Sequence, residues 1–155
     1  MSRAFGVAFL LVVVATAWPV AQPREPPLHD TRLTVHTLVR EDIFAGMLRG
    51  DPQRLARPER SPDTLLSSRP AERPRTLAWQ GSVALIRAVL AYEMNQPGVF
   101  EKESARASQL WDDARNLGPK DVGVSAVIGG TRVMLSERLP AAARAASWKQ
   151  AYDAY

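Results

Sequence analysis

From residue 34 onward, apolar residues recur at every third or fourth position, and polar residues gather around Gly and Pro between those runs. That spacing draws stripes on helices; a half-buried strand would alternate at every second residue. No segment sustains such alternation, so the pattern predicts an all-α chain. The first stripe is Val35, Leu38, Val39, Ile43 and Met47. Gly50 is placed to end it, because glycine accepts the left-handed conformation beyond a helix C-terminus. Asp51-Pro52 restarts a helix, with a carboxylate at the N-cap and proline at the first helical position, where its missing N–H costs nothing. Ser61-Pro62-Asp63 repeats the device, so residues 52–72 read as one or two short helices broken at Pro58 and Pro62.

Residues 75–95, RTLAWQGSVALIRAVLAYEMN, form the strongest predicted helix. Leu77, Gly81, Ala84, Leu85, Ala88 and Tyr92 mark one apolar face, and Trp79, Val83, Ile86 and Leu90 a second. A helix apolar on two faces needs cover on both, which places it between neighbours. Gln96-Pro97-Gly98 reads as a turn, and the next helix runs from about Val99 to Leu117 until Gly118-Pro119 stops it. Asp121 caps a helix through about Glu137, with Val124, Val127, Ile128, Thr131, Met134 and Leu135 as its stripe. Leu139-Pro140 turns the chain into a last helix, Ala141 to Tyr155. That helix has no Gly or Pro stop signal, and Tyr152 and Tyr155 want cover. These features point to a chain that continues or self-associates.

Within ASQLWDDARNLGPKD, residues 107–121, Ala107, Trp111 and Ala114 share one helix face and Pro119 fixes the following turn. Two small residues flanking a large ring let a neighbouring helix come close while the ring fills the gap. The pattern resembles the second helix of a tetratricopeptide repeat, A-x3-F-x2-A-x4-P, with Trp for Phe. Ile128-Gly129 stands where the following repeat would carry its Leu-Gly pair. Trp148-Lys149-Gln150-Ala151 echoes Trp111-Asp112-Asp113-Ala114, although Arg144 occupies a small-residue position. Trp79 and Gly81 fit loosely, and residues 77–117 are longer than a standard helix pair. The resemblance spans about residues 75–155 and is specific only around 107–129. It implies antiparallel helix pairs, residues 74–119 and 120–155, stacked as a short right-handed solenoid behind capping helices in 33–73. The stretch from HTLVREDIF to AYDAY is also similar to a group of exported bacterial repeat proteins of unknown function. The competing reading is an ordinary helical bundle.

The N-terminus, MSRAFGVAFLLVVVATAWPVAQ, has the three parts of an export signal: Arg3, the apolar run Ala4 to Val14, and Ala15-Thr16-Ala17 as a cleavage pattern. A second cut could follow Ala21, giving a signal over residues 1–21. The run is short for a permanent membrane span; an uncleaved anchor is the alternative, and either reading carries the rest of the chain out of the cytoplasm. Residues 22–32 continue a Pro-rich polar stretch that reads as a disordered linker into a domain over residues 33–155.

Composition narrows the chemistry. The 155 residues suffice for one compact domain. The net charge of +4 comes from Arg spread along the chain, with no basic patch interleaved with aromatics, so nucleic-acid binding is not expected. The absence of Cys excludes disulfides, thiolate zinc sites and Cys nucleophiles within the chain. The two histidines are His29, in the linker, and His36, on the first helix beside Arg40, Glu41 and Asp42. A zinc site wants three or four convergent ligands, and no G-x-S-x-G turn presents a serine, so no metal, cofactor or catalytic residue is assigned. Gly129-Gly130-Thr131 lacks the phosphate-loop frame and reads as close helix packing. Asp112-Asp113 and Glu101-Lys102-Glu103 read as solvated faces, since adjacent helical residues diverge.

The functional expectation is a non-enzymatic scaffold that docks a protein or peptide, with Arg87, Arg106 and Arg132 as polar contacts. The alternatives are a structural segment of a larger solenoid or homo-oligomer, and an enzyme built around a polar cleft at His36. Trp79, Gly81, Ala107, Trp111, Ala114, Pro119, Ile128, Gly129, Trp148 and Ala151 are expected to form the repeat packing.

Overall fold

A computed structural model describes residues 33–60, 65 and 67–154. The signal-like segment 1–21, the linker 22–32, Ser61-Pro62-Asp63 and Tyr155 lie outside the described residues. Among the described residues the chain is all-helical: α1 (Val35–Leu48), α2 (Pro52–Arg60), α3 (Arg73–Glu93), α4 (Pro97–Leu117), α5 (Val122–Leu135) and α6 (Ala141–Tyr152), with 3-10 turns at Pro70–Glu72 and Ser136–Arg138.

The helix ends follow the local chemistry. Thr34 caps α1 through its hydroxyl, which accepts from Thr37 N at 3.2 Å. Glu72 adds a second acceptor there, taking the Val35 N–H at 2.9 Å. Arg69, buried between the two, donates to Leu33 O and pairs with Glu72 at 3.4 Å. Gly50 has a φ of +63°, the left-handed turn after α1. Asp51 Oδ1 then accepts from Gln53 N and Arg54 N at 3.0 and 3.1 Å to open α2. Asp121 does the same for α5, accepting from Gly123 N at 2.8 Å and Val124 N at 3.3 Å. Arg75 on α3 holds that carboxylate at 3.0 Å.

Several boundaries differ from the sequence reading: α2 runs through Pro58 without a break, α3 is shifted two residues back from the expected 75–95, and α6 ends at Tyr152 before reaching Tyr155. Pro97 and Gly98 are the first residues of α4, not a turn. Proline suits the first helical position, and the reversal falls instead on Asn95, at φ +55°, a residue that tolerates the left-handed region. The helix after Asp121 ends at Leu135 rather than Glu137, because residues 136–138 tighten into a 3-10 turn.

Helix α3 is the centre. It packs most extensively along α4 and also contacts α1, α2 and α5, while α6 rests on α5. Its buried residues surround the helix, from Thr76 and Trp79 to Val89 and Ala91, as two apolar faces demand. Tyr92, assigned to one of those faces, is 45% exposed at the α3 end and packs on Phe100, with ring centroids 5.8 Å apart.

Helix α4 buries only three residues, Ala107, Trp111 and Ala114. The Trp111 ring lies over Gly81, where an added Cβ would sit 2.5 Å from Nε1; only a residue without a side chain admits it. Its indole N–H donates to Ala78 O at 3.0 Å. Burying an aromatic of 150–250 Å² contributes about 4–6 kcal/mol at ~25 cal/mol per Å². The hydrogen bond adds about 1 kcal/mol, so the ring's area, not its polar tip, holds α3 and α4 together.

A polar link joins α3 to α5. The Ser82 and Thr131 hydroxyls are 2.8 Å apart, and each also lies within hydrogen-bond reach of a backbone carbonyl in its own helix, Ala78 O at 3.1 Å and Val127 O at 2.7 Å; with one proton apiece, one hydroxyl donates to its carbonyl while the other donates across to it. Both residues are buried. The link fixes the register of two helices whose other contacts there are apolar and non-directional. Ile128 and Gly129 are buried beside it on α5, and Ala151 on α6. Trp148 is only partly buried, its N–H reaching Glu137 at 3.4 Å, and stacks near exposed Tyr152. Pro119, in the turn after α4, is exposed.

Candidate functional site

Helices α1, α3 and α5 line one side of the molecule and leave between them an open groove of about 380 Å³. Its floor is Ile43, Ile86 and Val127, all buried. Phe44 and Met134, at 37% and 39% exposure, form its upper walls, and Ala126 and Gly130 keep the α5 side low. The volume falls within the 300–1,000 Å³ of ligand pockets, which are mostly apolar with a few polar groups.

The polar groups sit at the α1 edge. His36 packs against Trp79, with centroids 5.1 Å apart and planes tilted by 52°. Partial burial, and secondarily the positive charge of Arg40, lower its pKa from the ordinary value. It is therefore neutral above pH 7. Arg40 lines the same edge and pairs with Glu41 at 3.2 Å, with both side chains largely in water. Such a pair contributes little and leaves the guanidinium exchangeable. Thr131 lines the groove too, but its hydroxyl is committed to Ser82 and Val127 O. The buried Trp79 N–H has no acceptor among the described residues.

The three arginines expected as partner contacts are not part of this groove. Arg87 is partly buried on α3, and Arg106 is exposed on α4, where it pairs with Glu103 at 3.4 Å. Arg132 faces the opposite side of α5, with its guanidinium carbon 4.5 Å from the Trp111 ring centroid. Charge singles out the arginines in the sequence, whereas the groove is made by residues of the apolar stripes: Ile43, Ile86, Val127 and Met134. One sign was available, the pairing of His36 and Trp79 with the small residues Gly123, Ala126 and Gly130 on a neighbouring helix. It becomes legible only once α1 and α5 are known to flank α3.

Among the described residues no cluster of His, Asp or Glu is arranged to hold a metal ion, and no helix is long and apolar enough to cross a membrane. Comparison with protein-family models, with curated proteins and with solved structures finds no match to the chain.

Proposed function

We propose that this is an exported, non-enzymatic helical repeat module that docks an amphipathic segment of a partner protein in the groove between α1, α3 and α5. The observation that carries the reading is the groove: an open apolar trough whose edge bears a neutral imidazole and an exchangeable guanidinium. An amphipathic helix laying its apolar face into such a trough would bury Leu-sized side chains against Ile43, Ile86 and Met134. A carboxylate on its flank would meet Arg40.

The helix contacts favour a tetratricopeptide-like stacking. Helices α3 and α4 form one pair, α5 and α6 a second, the first helices of the two pairs touch, and α1 with α2 covers the open end. The placement of Trp111 between Ala107 and Ala114 against Gly81 fits the spacing logic of such repeats. Export rests on the tripartite pattern of residues 1–21.

The test is selection of helical peptides from a display library on the full chain. Enriched peptides should carry apolar residues at i, i+3 or i+4, and i+7. Their binding should fall at least tenfold in Ala126→Trp, which fills the trough from an exposed position, with no change in melting temperature. Enrichment without that pattern, or binding indifferent to Ala126→Trp, would reject the reading.

Homo-oligomerisation is the second reading, favoured by Tyr152, which is 74% exposed beside Trp148 on α6. Light scattering on the full chain should then report a dimer that Tyr152→Glu dissociates; a monomer at all concentrations rejects it.

A further inference from the structure

On the far side of α5 a second cavity, about 180 Å³, opens between α4 and α6. Three polar atoms on its lining residues are buried without a hydrogen-bond partner among the described residues: Arg132 Nε from α5, Ser104 Oγ from α4 and Ser147 Oγ from α6. Buried polar groups are nearly always satisfied, and three exceptions around one cavity mark a place where something else supplies the partners. The contrast with the α3–α5 link is direct. There the Ser82 and Thr131 hydroxyls each reach the carbonyl one turn back as well as one another, a contact open to any helical serine, which the Ser104 and Ser147 hydroxyls do not make.

Arg132 sets the sign of the missing group. Its guanidinium stacks on Trp111, and no carboxylate among the described residues forms an ion pair with it. Asp112, whose negative charge acts on Arg132, pairs with Arg115 at 3.6 Å in a largely exposed pair. Burial, and next the charge of Arg115, pull the Arg132 pKa down to about 10 against a smaller upward pull from Asp112, the response of a cation whose burial is incompletely compensated. Ser108 and Gln150 also line the cavity, and the rest of its wall is apolar, among it Leu85, Phe100 and Leu139.

We propose that the cavity between α4 and α6 is a binding site for a small organic monocarboxylate, its carboxylate held by Arg132, Ser104 and Ser147 and its short hydrocarbon tail by Leu85, Phe100 and Leu139. A single half-buried guanidinium matches one negative charge, and its fork suits a carboxylate. At about 30 Å³ per water-sized group, the cavity takes roughly six heavy atoms, the size of butanoate to pentanoate. The site is separate from the α1–α3–α5 groove and does not depend on what that groove binds.

The full chain is titrated with butanoate, pentanoate, pentanamide and inorganic phosphate, following tryptophan fluorescence and the Arg132 Nε–H resonance. Pentanoate should shift that resonance and bind at least tenfold more tightly than pentanamide. Arg132→Gln should abolish the difference, and Ser147→Ala, which keeps the backbone and removes only the hydroxyl, should weaken pentanoate several-fold. Should Arg132→Gln fail to fold, Ala146→Trp, an exposed lining position, should block pentanoate with the melting temperature retained. Equal binding of acid and amide, no binding of either, tighter binding of phosphate, or pentanoate affinity unchanged in these variants would each overturn the assignment.

Discussion

The contact between Gly81 and Trp111 makes the sign of one substitution diagnostic. A Cβ at position 81 would stand 2.5 Å from Nε1 and 2.6 Å from Cδ1 of the ring, against the ~3.5–4.0 Å at which heavy atoms attract. The ring is 1% exposed and tethered to Ala78 O at 3.0 Å, so shifting it into the neighbouring cavity between α4 and α6 breaks that hydrogen bond. On helix propensity alone Gly81→Ala would stabilise by about 1 kcal/mol. Overpacking costs about 1–3 kcal/mol, and displacing the ring far enough to relieve the clash leaves its buried N–H unpaired, about 1–3 kcal/mol more. The balance is a loss of about 3 kcal/mol, a fall of roughly 10 °C in Tm for a domain of this size. Gly98→Ala is the control, since nothing lies within 4 Å of a Cβ there; it should leave Tm unchanged or slightly raised. In a Trp111→Leu background the penalty at 81 should vanish, a coupling above about 1 kcal/mol. Circular dichroism melts of the five chains decide it. Gly81→Ala melting at or above the parent would refute the packing described for α3 and α4.

Thr131→Val should cost about 1 kcal/mol by removing the buried link to Ser82, and Ser82→Ala should add little in that background, since both partners are then apolar; urea melts of the cycle measure it. Gly129→Leu, at a buried position on α5, should destabilise by about 1–3 kcal/mol through overpacking, and a parental Tm would contradict it. The lowered pKa of His36 has a definite sign: as pH falls below about 6.5 the unfolded chain takes up the proton first. The stability His36 contributes is therefore complete above that pH and is lost as pH drops toward its folded value. The Tm gap between the parent and His36→Gln should narrow from pH 7.5 to 5.5; a constant gap would contradict the environment assigned to the imidazole.

Local signals carried much of the architecture. Gly50, Asp51-Pro52 and Asp121 act where their chemistry places them, and Ala107, Trp111 and Ala114 are the buried residues of α4. Gln96-Pro97-Gly98 misled because proline and glycine mark both turns and first helical turns; the deciding residue was Asn95, whose left-handed φ carries the reversal. The groove was illegible for a different reason. Periodicity tells which residues leave water, but not whether another helix of the same chain covers them. Met134 carries the same stripe signal as Leu135, yet Met134 walls a trough and Leu135 is buried. Arg132 stands out in the sequence by its charge alone, and its stacking on Trp111 depends on how α4 crosses α5.

Methyl NMR of the full chain, labelled at Ile, Ala and Met and titrated with a display-selected amphipathic peptide, tests the groove most directly. Docking between α1, α3 and α5 predicts saturable shifts at Ile43, Ile86, Ala126 and Met134, with Ala143 and Ala146 on the far side of α5 unmoved. Shifts confined to Ala143 and Ala146, or none at the groove under saturating peptide, would contradict it.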